Sequence, residues 1–157
     1  MQVLRDTQEA LDWISPASMA QISLALGVPI GQVQATTAFY SFLHDRPMGR
    51  YRVLFSDNIT DRMLGSLALY EHMLQRLRLR PGEVSSDGLV SVGLTSCTGM
   101  CDQGPALMVN NRAIARLTPR RIDEICELIR GQVPLADWPG FYFQVDDNIR
   151  RADALLS

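Results

Sequence analysis

The sequence over residues 95–105 is Thr95-Ser96-Cys97-Thr98-Gly99-Met100-Cys101-Asp102-Gln103-Gly104-Pro105. Its two cysteines and two glycines make it the most distinctive segment of the chain. Before it, residues 90–94 alternate apolar and smaller side chains, as a strand that faces a core does. After it, residues 106–109 form a second apolar run. The segment is therefore predicted to be a loop between two strands, where a rigid scaffold presents reactive or metal-bound groups.

The sequence on both sides of this loop predicts an α/β domain. Residues 51–55 are rich in aromatic and β-branched side chains, which indicates a buried strand, and apolar residues at helical spacing follow from position 64 to 77. Asn110-Asn111 predicts a tight hairpin, since asparagine tolerates positive φ. Thr118 and Pro119 are typical of a helix start, and Gly131 of a helix end. The predicted order is strand, helix, strand, strand, helix, with a hairpin at one edge.

Residues 1 to about 45 are predicted to be helical. One helix covers residues 18–26 and stops at Gly27, and a second runs from Ile30 to about His44. We divide the chain into a helical bundle (1–46), the α/β domain (47–133) and a tail (134–157). The tail is predicted to contact a partner, because aromatic residues and arginine are enriched at protein interfaces. Its aromatic residues are Trp138, Phe141, Tyr142 and Phe143.

Composition excludes several classes of function. All fifteen basic residues among the 157 are arginine, which excludes Schiff-base lysine chemistry and a Walker A lysine. The net charge of −2 argues against nucleic acid as a partner. No apolar run is long enough for direct membrane insertion, and the first residues do not resemble a secretory signal. Three cysteines suit a reducing compartment, so a cytoplasmic location is expected.

The Cys97-x-x-x-Cys101 pair leaves several interpretations open. The glycine between the cysteines allows both sulfurs to lie on one side of a loop that binds a metal or cluster. Two packing thiols would need no ligand. A zinc knuckle prefers tighter pairs and four good ligands, and a thioredoxin-type redox pair prefers Cys-x-x-Cys at a helix N-terminus. Spacing alone does not separate these possibilities.

Three blocks of the sequence together resemble a known family. They are residues 36–42 (Thr-Thr-Ala-Phe-Tyr-Ser-Phe), residues 47–51 (Pro-Met-Gly-Arg-Tyr) and residues 97–105. In this order they resemble the small thioredoxin-like [2Fe-2S] ferredoxin subunit of the NADH-dehydrogenase arm of respiratory complex I, of NAD-reducing hydrogenases and of NAD-dependent formate dehydrogenases. The resemblance implies a helical bundle followed by a thioredoxin-like domain with a mixed sheet.

The resemblance also implies a ligand set, which this chain has only in part. The family binds its cluster through four cysteines. At the matching positions this chain has Ser56, Asp61, Cys97 and Cys101. Serine and aspartate are harder donors than thiolates, so the cluster is expected to be lost or altered. The alternative is a working [2Fe-2S] electron carrier in which Ser56 and Asp61 replace two cysteines.

The function implied is that of a subunit without catalytic residues of its own. It lacks a glycine-rich dinucleotide fingerprint, so FMN and NAD are expected in a partner flavoprotein subunit, beside further iron–sulfur subunits. The chain most resembles a degenerate form of this domain at the N-terminus of the hydrogenase flavin subunit. Residues 147–151 resemble the linker that leads into the flavin domain there.

Two functions of other classes remain as alternatives. Residues 19–40, with Gly27-Val28-Pro29 as the turn, resemble a DNA-binding helix–turn–helix, but the second helix has no basic residue to contact phosphates. An independent thiol oxidoreductase would use Cys97 and Cys101.

Overall fold

The computed structural model describes residues 1–40 and 42–145. Within them, six α-helices and four strands follow one another along the chain. They are α1 (Gln2–Leu11), α2 (Pro16–Leu26), α3 (Ile30–Phe39), β1 (Tyr51–Ser56), α4 (Ile59–Met63), α5 (Ser66–Leu77), β2 (Val90–Thr95), β3 (Leu107–Val109), β4 (Arg112–Ile114) and α6 (Pro119–Arg130). Two short 3-10 helices, Leu135–Asp137 and Gly140–Phe143, follow α6.

The three N-terminal helices have a small core of their own. It consists of Leu4, Ile14, Met19, Ile22, Val33 and Leu43, all buried. The predicted stop of α2 at Gly27 is confirmed, since this glycine has a φ of 63° and closes the helix end. The predicted end of α3 near His44 is wrong: the helix ends at Phe39, and Tyr40 is already extended.

The sheet is mixed, with the strand order β2-β1-β3-β4. β1 pairs with β2 in parallel and with β3 in antiparallel fashion. The predicted hairpin is confirmed, because Asn110 and Asn111 have φ values of 46° and 67° and connect β3 to β4. Positive φ at both central residues is the geometry of a type I′ turn. The predicted fold class, a helical bundle followed by a thioredoxin-like domain, is confirmed.

The helices α5 and α6 pack together and cover a core formed with the sheet. The four residues predicted to face the core from α6, Ile122, Ile125, Cys126 and Ile129, are fully buried. Thr118 caps α6 as predicted, its side chain accepting from the Arg121 N–H. The helix predicted from the apolar residues between positions 64 and 77 is confirmed as α5, whereas the short helix α4, which precedes Gly65 at a φ of 88°, was not predicted.

Part of the C-terminal tail packs on the protein itself. Trp138 and Tyr142 are buried in the core of the α/β domain, and the Trp138 indole donates to the Val133 carbonyl at 2.9 Å. Trp138 and Tyr142 therefore contact this chain's own core, and the partner contact predicted for residues 134–157 stays a prediction for the other residues of the tail. The linker resemblance at residues 147–151 lies outside the described residues. Within the described residues, no helix combines the length and the apolar character that crossing a membrane requires.

One buried histidine couples the stability of the helical bundle to pH. Hydrogen bonds between Gln8 and the backbone of Phe42 and His44 hold residues 42–44 against α1. Burial lowers the pKa of His44 from 6.5 to about 4; Arg52 and Arg46 lower it further, and Asp45 opposes them. The unfolded chain therefore binds a proton at higher pH than the folded chain does.

We expect this histidine to cost the protein stability as the solution is acidified. Because the pKa of His44 is lower in the folded protein than in the unfolded chain, the free energy of unfolding is highest above pH 6.5. It falls as the pH is lowered from 6.5 towards 4. Between pH 7.5 and 5 the loss is about 2 kcal/mol. Urea unfolding at both pH values measures it. His44→Gln should remove this part of the pH dependence, whereas His72→Gln should leave it in place; an unchanged slope in His44→Gln would contradict the assignment.

Candidate functional site

The ends of β1 and β2 bring the four predicted site residues together. The two strands are parallel neighbours, and Ser56, the last residue of β1, is in register with Thr95, the last residue of β2. Both chain segments that leave these strands therefore start at the same edge of the sheet. Asp61 lies one short turn after β1, and Cys97 lies just after β2. Residues about forty positions apart in sequence thus meet in one place.

Ser56 is completely buried. Its backbone N–H donates to the Ala106 carbonyl at 3.0 Å, and its carbonyl accepts from the Ser66 hydroxyl at 2.9 Å. Its hydroxyl oxygen accepts from the Asn58 amide at 2.9 Å. The backbone on both sides of this hydroxyl is therefore fixed by the sheet and by the start of α5.

Asp61 is also completely buried, and both of its carboxylate oxygens have partners. Oδ1 accepts from the Ala106 N–H at 3.0 Å, and Oδ2 accepts from the Asn58 amide at 2.6 Å. A side chain at Gly104 would clash with Oδ1, so this glycine leaves the room that the carboxylate occupies. Asp61 thus connects α4 to the chain that enters β3.

Cys97 and Cys101 lie on the surface, with their sulfurs 3.4 Å apart. The Gly99 N–H donates to the Cys97 sulfur at 3.3 Å, and Gly99 itself has a φ of 79°. This hydrogen bond lowers the pKa of Cys97, and the hydrogen bond to Cys97 raises the pKa of Cys101. Cys97 is therefore the first of the two to become a thiolate. The third cysteine, Cys126, is buried in α6, where burial raises its pKa to about 11.

Asn58, which the sequence pattern did not single out, lies between the four predicted residues. Its amide nitrogen is 2.9 Å from Ser56 Oγ, 2.6 Å from Asp61 Oδ2, 3.7 Å from Cys97 Sγ and 3.5 Å from Cys101 Sγ. Its amide oxygen accepts from the Asp61 N–H at 2.8 Å and so caps α4. A local signal for this residue exists in the sequence: Asn58 and Asp61 have the spacing of a capping box.

These residues do not fit a [2Fe-2S] cluster of the usual kind. Such a cluster needs four soft, deprotonated ligands. Here only two are thiols, and the carboxylate already accepts two hydrogen bonds. The atom that reaches all four side chains is an amide N–H donor, which has no lone pair to offer a metal. In the described part of the chain, no group of three or more His, Cys, Asp or Glu side chains is arranged to hold a metal ion.

Comparison with known proteins identifies the family. The family model for the thioredoxin-like [2Fe-2S] ferredoxin matches residues 1–130. This chain belongs to that family. The fold agrees, since a helical bundle precedes a mixed sheet packed with helices.

Its relatives are subunits of NAD(H)-linked oxidoreductases. The chain is 28% identical over 127 residues to a subunit of the NADH-quinone oxidoreductase of Escherichia coli K12, covering 81% of this chain and 76% of that subunit. It is 29% identical over 135 residues to the NAD-reducing hydrogenase HoxS subunit alpha of Cupriavidus necator, covering 85% of this chain and 22% of that subunit.

A solved structure extends this similarity to three dimensions. The chain superposes on a chain of an NAD⁺-reducing [NiFe]-hydrogenase in the air-oxidized state with a TM-score of 0.80 and 34% identity. The match covers 92% of this chain and 25% of that one. This family member thus spans about a quarter of the hydrogenase chain that it resembles.

Proposed function

We propose that this family member is a docking subunit of an NAD(H)-linked oxidoreductase complex that holds no [2Fe-2S] cluster. Its partner would be an FMN- and NAD-binding flavoprotein subunit, in a complex with other iron–sulfur subunits and located in the cytoplasm. The relatives named above support the complex. The absence of a cluster is inferred from the position of the Asn58 amide nitrogen. This nitrogen lies within hydrogen-bonding distance of side-chain atoms of Ser56, Asp61, Cys97 and Cys101.

Binding iron at this place would require the Asn58 side chain to leave. Its amide would lose the hydrogen bonds to Asp61 and Ser56, both of which are fully buried. Buried polar groups left without partners cost about 1–3 kcal/mol each. The ligands gained in exchange would include a hydroxyl and a carboxylate, which bind iron–sulfur clusters less well than thiolates do. The balance therefore favours the hydrogen-bonded arrangement over the cluster.

An apolar surface beside the site supports docking. Ile59 and Met63 lie one turn apart on α4, with 74% and 82% of their surface exposed, and Leu64 follows at 51%. Contiguous exposed apolar patches are typical of protein–protein contact sites. In the proposed complex this α4 surface lies against the flavoprotein.

The cluster-free state is tested by purifying the chain alone without oxygen and counting iron and acid-labile sulfide. We expect less than about 0.2 iron per chain and no EPR signal of a reduced [2Fe-2S] cluster. A variant combining Ser56→Cys, Asn58→Gly and Asp61→Cys restores four thiols and removes the amide, so it should bind more iron in the same preparation. About two irons per native chain would overturn the proposal and establish the oxygen-ligated carrier instead.

Docking is tested on the native complex. Purification through an affinity tag on this chain should also recover a second chain that contains FMN. The recovered complex should reduce ferricyanide with NADH as the electron donor. If the tagged chain is recovered without an FMN-containing partner and without NADH-oxidising activity, the docking role is contradicted, whatever the iron content.

A further inference from the structure

We propose that Cys97 and Cys101 form a reversible intramolecular disulfide, so that the loop between β2 and β3 is a two-electron thiol–disulfide site. The proposal rests on the cluster-free state argued above, since a cluster would occupy both sulfurs. It differs from an independent thiol oxidoreductase because the site belongs to a docking subunit and needs no substrate protein.

The distance between the two sulfurs supports the bond. They are 3.4 Å apart, and a disulfide bond is about 2.05 Å long, so closure requires a movement of about 1.4 Å. Both cysteines lie on the surface, where a small thiol or disulfide can reach them.

The backbone between the cysteines permits this movement. Gly99 lies midway between them with a φ of 79°, and no atom lies within 4 Å of the position a Cβ would take. The loop also has no helix or strand assigned between Ser96 and Ala106. Closing the ring therefore changes the loop alone and leaves the strands in register.

The third cysteine cannot compete for the pair. Cys126 is fully buried in α6 and packs within the core of the α/β domain. It can exchange with neither surface thiol unless the protein unfolds. The structure thus offers one intramolecular pairing among its three cysteines, all of which lie in the described residues.

The oxidant belongs to the class of low-molecular-weight disulfides, such as glutathione disulfide. The sulfur of one cysteine, as thiolate, attacks a sulfur of the oxidant, forming a mixed disulfide and releasing one small thiol. The sulfur of the second cysteine then displaces the other small thiol. Two protein thiols thereby lose two electrons and two protons, one protein disulfide forms, and one small disulfide becomes two small thiols. An excess of the small thiol reverses both steps.

The test uses the iron-free chain, with iron measured on the same sample. The chain is equilibrated with mixtures of reduced and oxidised glutathione, its free thiols are alkylated, and its peptides are analysed by mass spectrometry. We expect Cys97 and Cys101 to lose alkylation together as the oxidised fraction rises, with a disulfide-linked peptide within one chain. Cys126 should react only after unfolding and serves as the internal control.

Single-cysteine variants separate ring closure from simple modification. Cys97→Ser and Cys101→Ser should each retain one bound glutathione that the native chain releases. Persistent mixed disulfides in the native chain, linkage between two chains, or full alkylation of both cysteines in excess glutathione disulfide would each overturn the proposal. Because the sample is iron-free, these outcomes are independent of the iron count that tests the proposed function.

Discussion

Asp61→Ala should lower the melting temperature of the iron-free protein by about 10 °C, which corresponds to about 3 kcal/mol. Asp61 is fully buried, and its carboxylate accepts from the Ala106 N–H and from the Asn58 amide. The alanine variant would leave the Ala106 N–H buried without an acceptor. It would also remove the shortest hydrogen bond of the Asn58 amide. Thermal unfolding followed by circular dichroism measures the effect.

Two further variants sharpen this result. Asp61→Asn keeps an oxygen for Ala106 but turns an NH₂ group towards the Asn58 NH₂ group, so its loss should be smaller than that of alanine. Asp57→Ala removes a nearby carboxylate whose partner, Arg62, lies on the surface, and it should change the melting temperature least. If Asp61→Ala melts within about 2 °C of the native protein, Asp61 is not a structural residue and is available as an iron ligand.

Gly49→Ala should destabilise the α/β domain by about 3 kcal/mol. A Cβ at this position would overlap the backbone of Val90 and Ser91, at the start of β2. The neighbouring backbone cannot yield, because the Arg50 and Tyr51 N–H groups donate to the carbonyls of Gly88 and Leu89. The requirement for glycine is therefore one of space between two adjacent strands and not one of positive φ.

Gly31→Ala is the matched control for this substitution. Gly31 lies in α3, where no atom comes within 4 Å of an added Cβ. Alanine favours a helix over glycine, so this variant should be more stable by about 0.5 kcal/mol. Urea unfolding of both variants measures the difference. Equal stability of Gly49→Ala and the native protein would show that β1 and β2 lie farther apart than the structure has them.

Local chemistry was sufficient for the features whose cause lies within a few residues. Asn110-Asn111 gives a hairpin because both residues tolerate positive φ, and Thr118-Pro119 starts a helix because a hydroxyl caps its first turn. The end of α3 at Phe39 was predicted wrongly because its cause lies outside the local sequence. The apolar pattern continues through Phe42, but residues 42–44 are fixed by hydrogen bonds to Gln8 in α1, which no local pattern records.

In the candidate site, too, some residues could be predicted from the sequence and one could not. The resemblance identified the positions of Ser56, Asp61, Cys97 and Cys101 as a set, and the structure brings them together. Asn58 remained hidden, because its spacing to Asp61 predicts only a helix cap. Its amide nitrogen comes within 3.7 Å of side chains from both segments only because β1 and β2 lie side by side.

The sequence by itself determined the family and most of the order of the elements, and it predicted that Ser56 and Asp61 stand where the family has two thiols. These follow from residue identity and short-range spacing, which the chain carries whether folded or not. Only the tertiary structure decided that Asn58 lies between Ser56, Asp61, Cys97 and Cys101, and that position 49 requires glycine. Those depend on distances between segments far apart in the chain, which parallel pairing of β1 with β2 fixes.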